Sequence, residues 1–203
     1  MQHAANEHDE GVRTLKIRSL SLRSYRIHRH LTVEFDERLT LIGGPNETGK
    51  STLVEALHRG LFLKGNVTGE AQKEMFSRFH AAAPEVEIVF EAEGRSYRLL
   101  KRFAGSSGST RLSCDDGSTR SGDDAERCLN ELLRVEAIGG GRNLGERTTQ
   151  QWSHLWVWQG SASTDPTPHV DRQFDALSAR LQHLAGGAVL RSALDAQVVQ
   201  ATS

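Results

Sequence analysis

Within GGPNETGKST, residues 43–52, the span from Gly44 to Ser51 reads G-x-x-x-x-G-K-S. Each fixed residue type suits one task in gripping a polyphosphate. The glycines let the backbone wrap an anion with its N–H groups, and a helix starting immediately afterwards turns the positive end of its dipole toward the same charge. Lys50 would reach the β- and γ-phosphates of a nucleoside triphosphate, and the Ser51 hydroxyl would ligate Mg2+. The candidate set for ATP is Gly44, Pro45, Asn46, Glu47, Thr48, Gly49, Lys50, Ser51 and Thr52. The plainer alternative is a glycine-rich turn that meets the pattern by chance.

Such a loop works between a strand and a helix, and the flanking sequence carries both periods. Residues 14–22 (TLKIRSLSL), 30–36 (HLTVEFD) and 38–43 (RLTLIG) predict three short strands. STLVEALHRGLF predicts a helix with Leu53, Val54, Leu57, Leu61 and Phe62 as its buried stripe. Residues 86–103 read as two strands about a turn near Glu93 and Gly94, and GSTRLSCDDG adds a third, making an antiparallel meander. A helix over 121–135 follows, with Ser121 able to cap it and Ala125, Cys128, Leu129, Leu132 and Leu133 on its core face. AIGGGRNLGERTTQQ reads as a glycine-rich connection, WSHLWVWQGSAS as a short aromatic strand, and 170–185 as an amphipathic helix that could open a coiled coil.

Bulk properties narrow the setting. With 203 residues and 37% hydrophobic content, one globular domain is expected. A net charge of -1 gives no global sign of a nucleic-acid or membrane binder. Two cysteines, Cys114 and Cys128, are too few for a disulfide framework and lack zinc spacing, so a reducing, cytoplasmic setting is the default. Residues 1–12 have neither the basic start nor the apolar run of a signal peptide and read as a disordered leader; nothing later is apolar enough to suggest a membrane.

The wording GPNETGKST resembles the loop of ABC-type ATPase heads in the SMC and SbcC-like superfamily of P-loop NTPases. LSLRSYRIHRHLTVEF is similar to the strand, aromatic-Arg pair and second strand that open those heads, which implies that Arg26 is directed at the nucleotide phosphates. LWVWQGSAS looks like the strand ending in their Q-loop, so Gln159 would ligate Mg2+ with Ser51 and help place the attacking water, while Lys50 stabilises charge. The implied fold is α/β: the N-terminal lobe of an ABC ATPase head over 13–165, with an antiparallel β-meander, then C-terminal helices over 170–203 at a coiled-coil root. Implied partners are ATP, the C-terminal lobe of the same or a second head in an ATP-bound head dimer, DNA and a nuclease subunit. The implied roles are DNA repair, chromosome maintenance or phage defence, in the cytoplasm or at the nucleoid.

The signature motif, Walker B aspartate and catalytic base of that family have no convincing match here. VEIVFE lacks an Asp-Glu pair, Asp36-Glu37 reads as a hairpin turn before the loop, and Ala185 in LAGGA removes the signature serine. A nucleotide-binding regulatory module that never hydrolyses ATP therefore stays open as an alternative; a self-contained kinase has no lid-like arginine segment to support it. Two basic clusters, Arg13, Lys16, Arg18, Arg23, Arg26 and Arg29, then Arg95, Arg98, Lys101 and Arg102, could meet DNA phosphates or form a solvated face balanced by acids.

Overall fold

The computed structural model describes residues 15–79, 81–136, 144–149 and 151–152. Alternating apolar residues draw Lys16–Tyr25 (β1) and His28–Glu34 (β2) into an antiparallel pair that turns at Arg26 and Ile27. Next come the helices α1 (Lys50–Phe62) and α2 (Glu70–Lys73). The meander follows as β3 (Glu85–Ala92), β4 (Arg95–Arg102), β5 (Ser109–Cys114) and β6 (Thr119–Ser121). Helices α3 (Gly122–Leu133) and α4 (Leu144–Thr149) close the described chain. One six-stranded antiparallel sheet results, in the order β2-β1-β3-β4-β5-β6.

Register decides which residues share the core. Leu22, Val86, Lys101 and Thr110 lie across from one another, as do Leu20, Ile88, Leu99 and Leu112, and then Phe90 and Tyr97. All of these are buried. Against this face α1 packs on β1 and β3, and α3 on β5 and β6. Gly60 makes the first contact close: a Cβ there would sit 2.8 Å from both Val86 Cγ1 and Ile88 Cδ1.

A charged pair lies inside this core. Lys101, 0% exposed, donates from Nζ to Leu63 O at 2.6 Å and to Glu126 Oε2 at 2.9 Å. The other carboxylate oxygen of Glu126 accepts from the Thr110 hydroxyl at 2.5 Å and the Gly65 N–H at 3.0 Å. Burial lowers the Lys101 pKa, and the Glu126 charge opposes that shift. The network ties β4, β5 and α3 to the chain leaving α1. Lys101 thus leaves the second basic cluster for the core.

Several expectations need correcting. The strand at 38–43 does not form: residues 39–45 have no regular structure, with Leu39 80% and Leu41 91% exposed. An extended segment needs a neighbour to take its backbone hydrogen bonds. Here Asp36 turns the chain off the end of β2, its carboxylate accepting the N–H groups of Arg38 at 2.9 Å and Leu39 at 3.3 Å. Those two bonds lower the Asp36 pKa, so this acid serves a turn without a second hairpin strand.

Smaller departures follow from packing. Val54 is 38% exposed, whereas His58 and Gly60, not foreseen in the α1 stripe, are buried. Ser121 holds the cap position of α3 without a side-chain cap bond. Cys128 is half-buried, its sulfur accepting from an Arg120 Nη1–H at 2.8 Å. The short elements α2, β6 and α4 were not foreseen. Among the described residues no helix is long and apolar enough to cross a membrane. The expected leader, the aromatic strand from 153 on with Gln159, and the helical segment 170–203 lie outside the described residues.

Lys101→Met leaves the Glu126 charge buried without its partner, and a chemical denaturation experiment should read a loss of roughly 3–5 kcal/mol. Pairing it with Glu126→Leu should recover much of that loss; a double variant no more stable than the single one would contradict the account.

Candidate nucleotide-binding loop

Gly49 caps α1 in a left-handed conformation, φ 85°, and its carbonyl accepts the Leu53 N–H at 3.1 Å. Glu47 is also left-handed at φ 66°, and the Thr48 hydroxyl donates to Pro45 O at 2.9 Å. Lys50 folds back over this turn, with Nζ 2.7 Å from Gly44 O and 2.5 Å from Pro45 O. Residues Gly43 to Thr48 and Ser51 are exposed, and the first turn of α1 carries no acid. An exposed loop, a helix N-terminus and an ammonium gathered at one place suit a polyphosphate. Ser51, beside Lys50 in that first turn, could hold Mg2+; Thr52, next along the helix, is buried.

The tip of the β1–β2 hairpin sits against the loop. A Cβ on Gly49 would lie 2.4 Å from His28 Nε2 and 2.7 Å from Ile27 Cδ1, so only glycine allows this approach. The His28 ring nitrogen is 3.4 Å from Gly49 O. Neither neighbour was foreseen, although both directly follow the Tyr25-Arg26 pair that the sequence singled out.

Arg26 precedes Ile27 in the hairpin tip, and its side chain is already engaged. Its terminal nitrogens meet Glu55, Nη1 to Oε2 at 2.6 Å and Nη2 to Oε1 at 2.8 Å, while Nε donates to Glu74 O at 2.8 Å. Arg59 continues the chain of charges, with Nη2 2.7 Å from Glu55 Oε1 and 2.5 Å from Glu74 Oε2. Under this network the Tyr25 hydroxyl is buried with no hydrogen-bond partner among the described residues, and burial raises its pKa.

Farther along α1, His58 donates from Nε2 to Gln151 O at 3.2 Å and packs on Phe62 with ring centroids 4.7 Å apart. This bond ties the helix that leaves the phosphate loop to the chain just before residue 152. Desolvation lowers the His58 pKa to about 4, with the Gln151 bond opposing.

Three members of the basic clusters are paired with acids on the sheet. Arg18 meets Glu91 at 2.8 Å and Glu37 at 3.0 Å, Arg98 meets Glu87 at 2.9 Å, and Arg102 reaches Glu85 at 3.8 Å.

A sheet backing a glycine-rich loop that opens a helix is the arrangement of a P-loop ATPase. Residues 19–150 match the AAA domain family, and the chain belongs to it, as the N-terminal region of an SMC/SbcC-like ATPase head. Over 89 residues the chain is 28% identical to the "DNA double-strand break repair Rad50 ATPase" of Thermococcus kodakarensis, covering 44% of this chain and 10% of that protein. A protein of the same description from Methanococcus maripaludis is 33% identical over 87 residues, covering 42% and 8%. The "DNA replication and repair protein RecF" of Shouchella clausii is 32% identical over 95 residues, covering 41% and 25%. The matches thus span a quarter or less of each relative's length.

His58 gives a pH test. Its folded pKa lies below the unfolded value of 6.5, so its contribution is fully present above that pH and is lost as pH falls toward 4. A shift of this size corresponds to roughly 3 kcal/mol. Urea midpoints should fall between pH 7 and pH 5, and His58→Gln should flatten that slope; an unchanged slope would contradict a neutral, buried His58.

Proposed function

We propose that this chain is the Mg-ATP-binding half of a composite ATPase site, in a head that acts on DNA during repair, chromosome maintenance or phage defence. One observation carries the reading: the glycine-rich loop is entered through an apolar segment, Leu39 and Leu41, that has no strand beside it among the described residues and faces solvent there. Apolar residues at strand spacing become buried when a neighbouring strand takes their backbone and covers their faces. The C-terminal lobe of the same or a second head supplies that neighbour, together with the signature and Walker B groups.

Within the site the chain's own groups divide the work of binding. Backbone N–H groups of Gly44 and of Asn46 to Gly49 and the α1 N-terminus cradle the phosphates, Lys50 turns from the loop carbonyls to the β- and γ-phosphates, and Arg26 contacts them from the side. Ser51 and Gln159 would hold Mg2+, which when bound offsets charge on the phosphate oxygens. No group of this set removes a proton from water, so turnover depends on the second lobe. DNA contact, head dimerisation and a nuclease partner belong to the same proposal, as does the coiled-coil root over 170–203.

Titration calorimetry with Mg-ATP should give clear binding that Lys50→Ala weakens by about a hundredfold. ATP turnover should be negligible for this chain and appear when a chain bearing the signature and Walker B motifs is added. Robust turnover by this chain alone, abolished by Lys50→Ala, would overturn the half-site reading.

A further inference from the structure

We infer that Glu55 is a positioning residue that sets Arg26 for the terminal phosphate of ATP before the nucleotide arrives. The inference rests on the proposal that Arg26 contacts the nucleotide phosphates. An arginine side chain is long and flexible, and its planar fork helps recognition only once its orientation is fixed. Three of its five N–H groups are committed here: Nε to Glu74 O, and one on each terminal nitrogen to the Glu55 carboxylate. Two N–H groups remain, one on each terminal nitrogen, in a plane that three bonds define.

The backbone is held as firmly. Arg26 has a left-handed φ of 48°, and its N–H donates to Met75 O at 3.0 Å. Glu55 follows Ser51 by four residues on α1, so its carboxylate rises from the helix face that also presents the candidate metal-binding hydroxyl. Arg59 and Glu74 complete a run of two cations and two anions, so Glu55 holds Arg26 without drawing a net negative charge toward the loop. The remaining Nη1–H and Nη2–H point to opposite sides of the edge that Glu55 holds, so a phosphate can take one of them while Glu55 keeps that edge of the guanidinium.

Affinities for Mg-ATP and Mg-ADP test this, because ADP lacks the terminal phosphate. Arg26→Ala should reduce the preference for ATP over ADP by roughly tenfold, as loss of a charge-assisted contact does. Glu55→Gln should reduce it in the same direction, and adding it to Arg26→Ala should reduce it no further. Glu55→Asp, which keeps the charge but withdraws it by one methylene, should also lower the preference, so the result does not hinge on one variant's fold. If Arg26→Ala leaves the preference unchanged, the assignment of Arg26 to the phosphates fails and this inference with it. If Arg26→Ala lowers the preference but both Glu55 variants keep it, positioning by Glu55 is overturned while the Arg26 assignment stands.

Discussion

The seat of α1 on the sheet is the contact on which the phosphate loop depends. A helix can aim its N-terminal N–H groups at an anion only if its axis is held, and three contacts along α1 do this. Gly60 lets the helix backbone lie against Val86 and Ile88, His58 bonds to Gln151, and Glu55 grips Arg26 beside the hairpin turn. At the helix start, Gly49 receives Ile27 and His28 so closely that any side chain there would collide. The exit of the loop is therefore fixed. Among the described residues its entrance has no such anchor, since Leu39 and Leu41 lie beside no strand and the turn at Asp36 carries the chain away from β2. One anchored side and one open side fit the composite site proposed for this chain.

The outer sheet face shows how register governs charge. β3 contributes Glu85, Glu87 and Glu91 between two strands rich in arginine, so Arg18 of β1 and Arg98 and Arg102 of β4 each meet an acid on that strand. Exposed pairs of this kind contribute roughly 0–1 kcal/mol each. Their larger consequence is electrostatic: the local field that a run of arginines would project is cancelled at short range, which weakens the case for DNA phosphates along the middle of this face.

Where local pattern decided the outcome, the sequence was legible. The alternation in VEIVFEA and the Glu93-Gly94 turn fix the β3–β4 hairpin, and the spacing from Gly44 to Ser51 identifies the loop and the helix after it. What local pattern cannot carry is partnership across the fold. RLTLIG has a strand's composition, but a strand exists only beside another. Lys101 reads as one more surface cation, yet register places it between Val86 and Thr110 on the core face, where Glu126 from α3 meets it. Nothing local singles out Glu55, because its partner Arg26 lies 29 residues earlier in the chain.

Hydrogen-deuterium exchange at the backbone amides of residues 40–43 tests the composite-site account most directly. The account predicts fast exchange in this chain alone, and strong protection once a chain carrying the second lobe is added with Mg-ATP, because a new neighbouring strand takes those N–H groups. Protection already present in the isolated chain, or none after assembly, would contradict it.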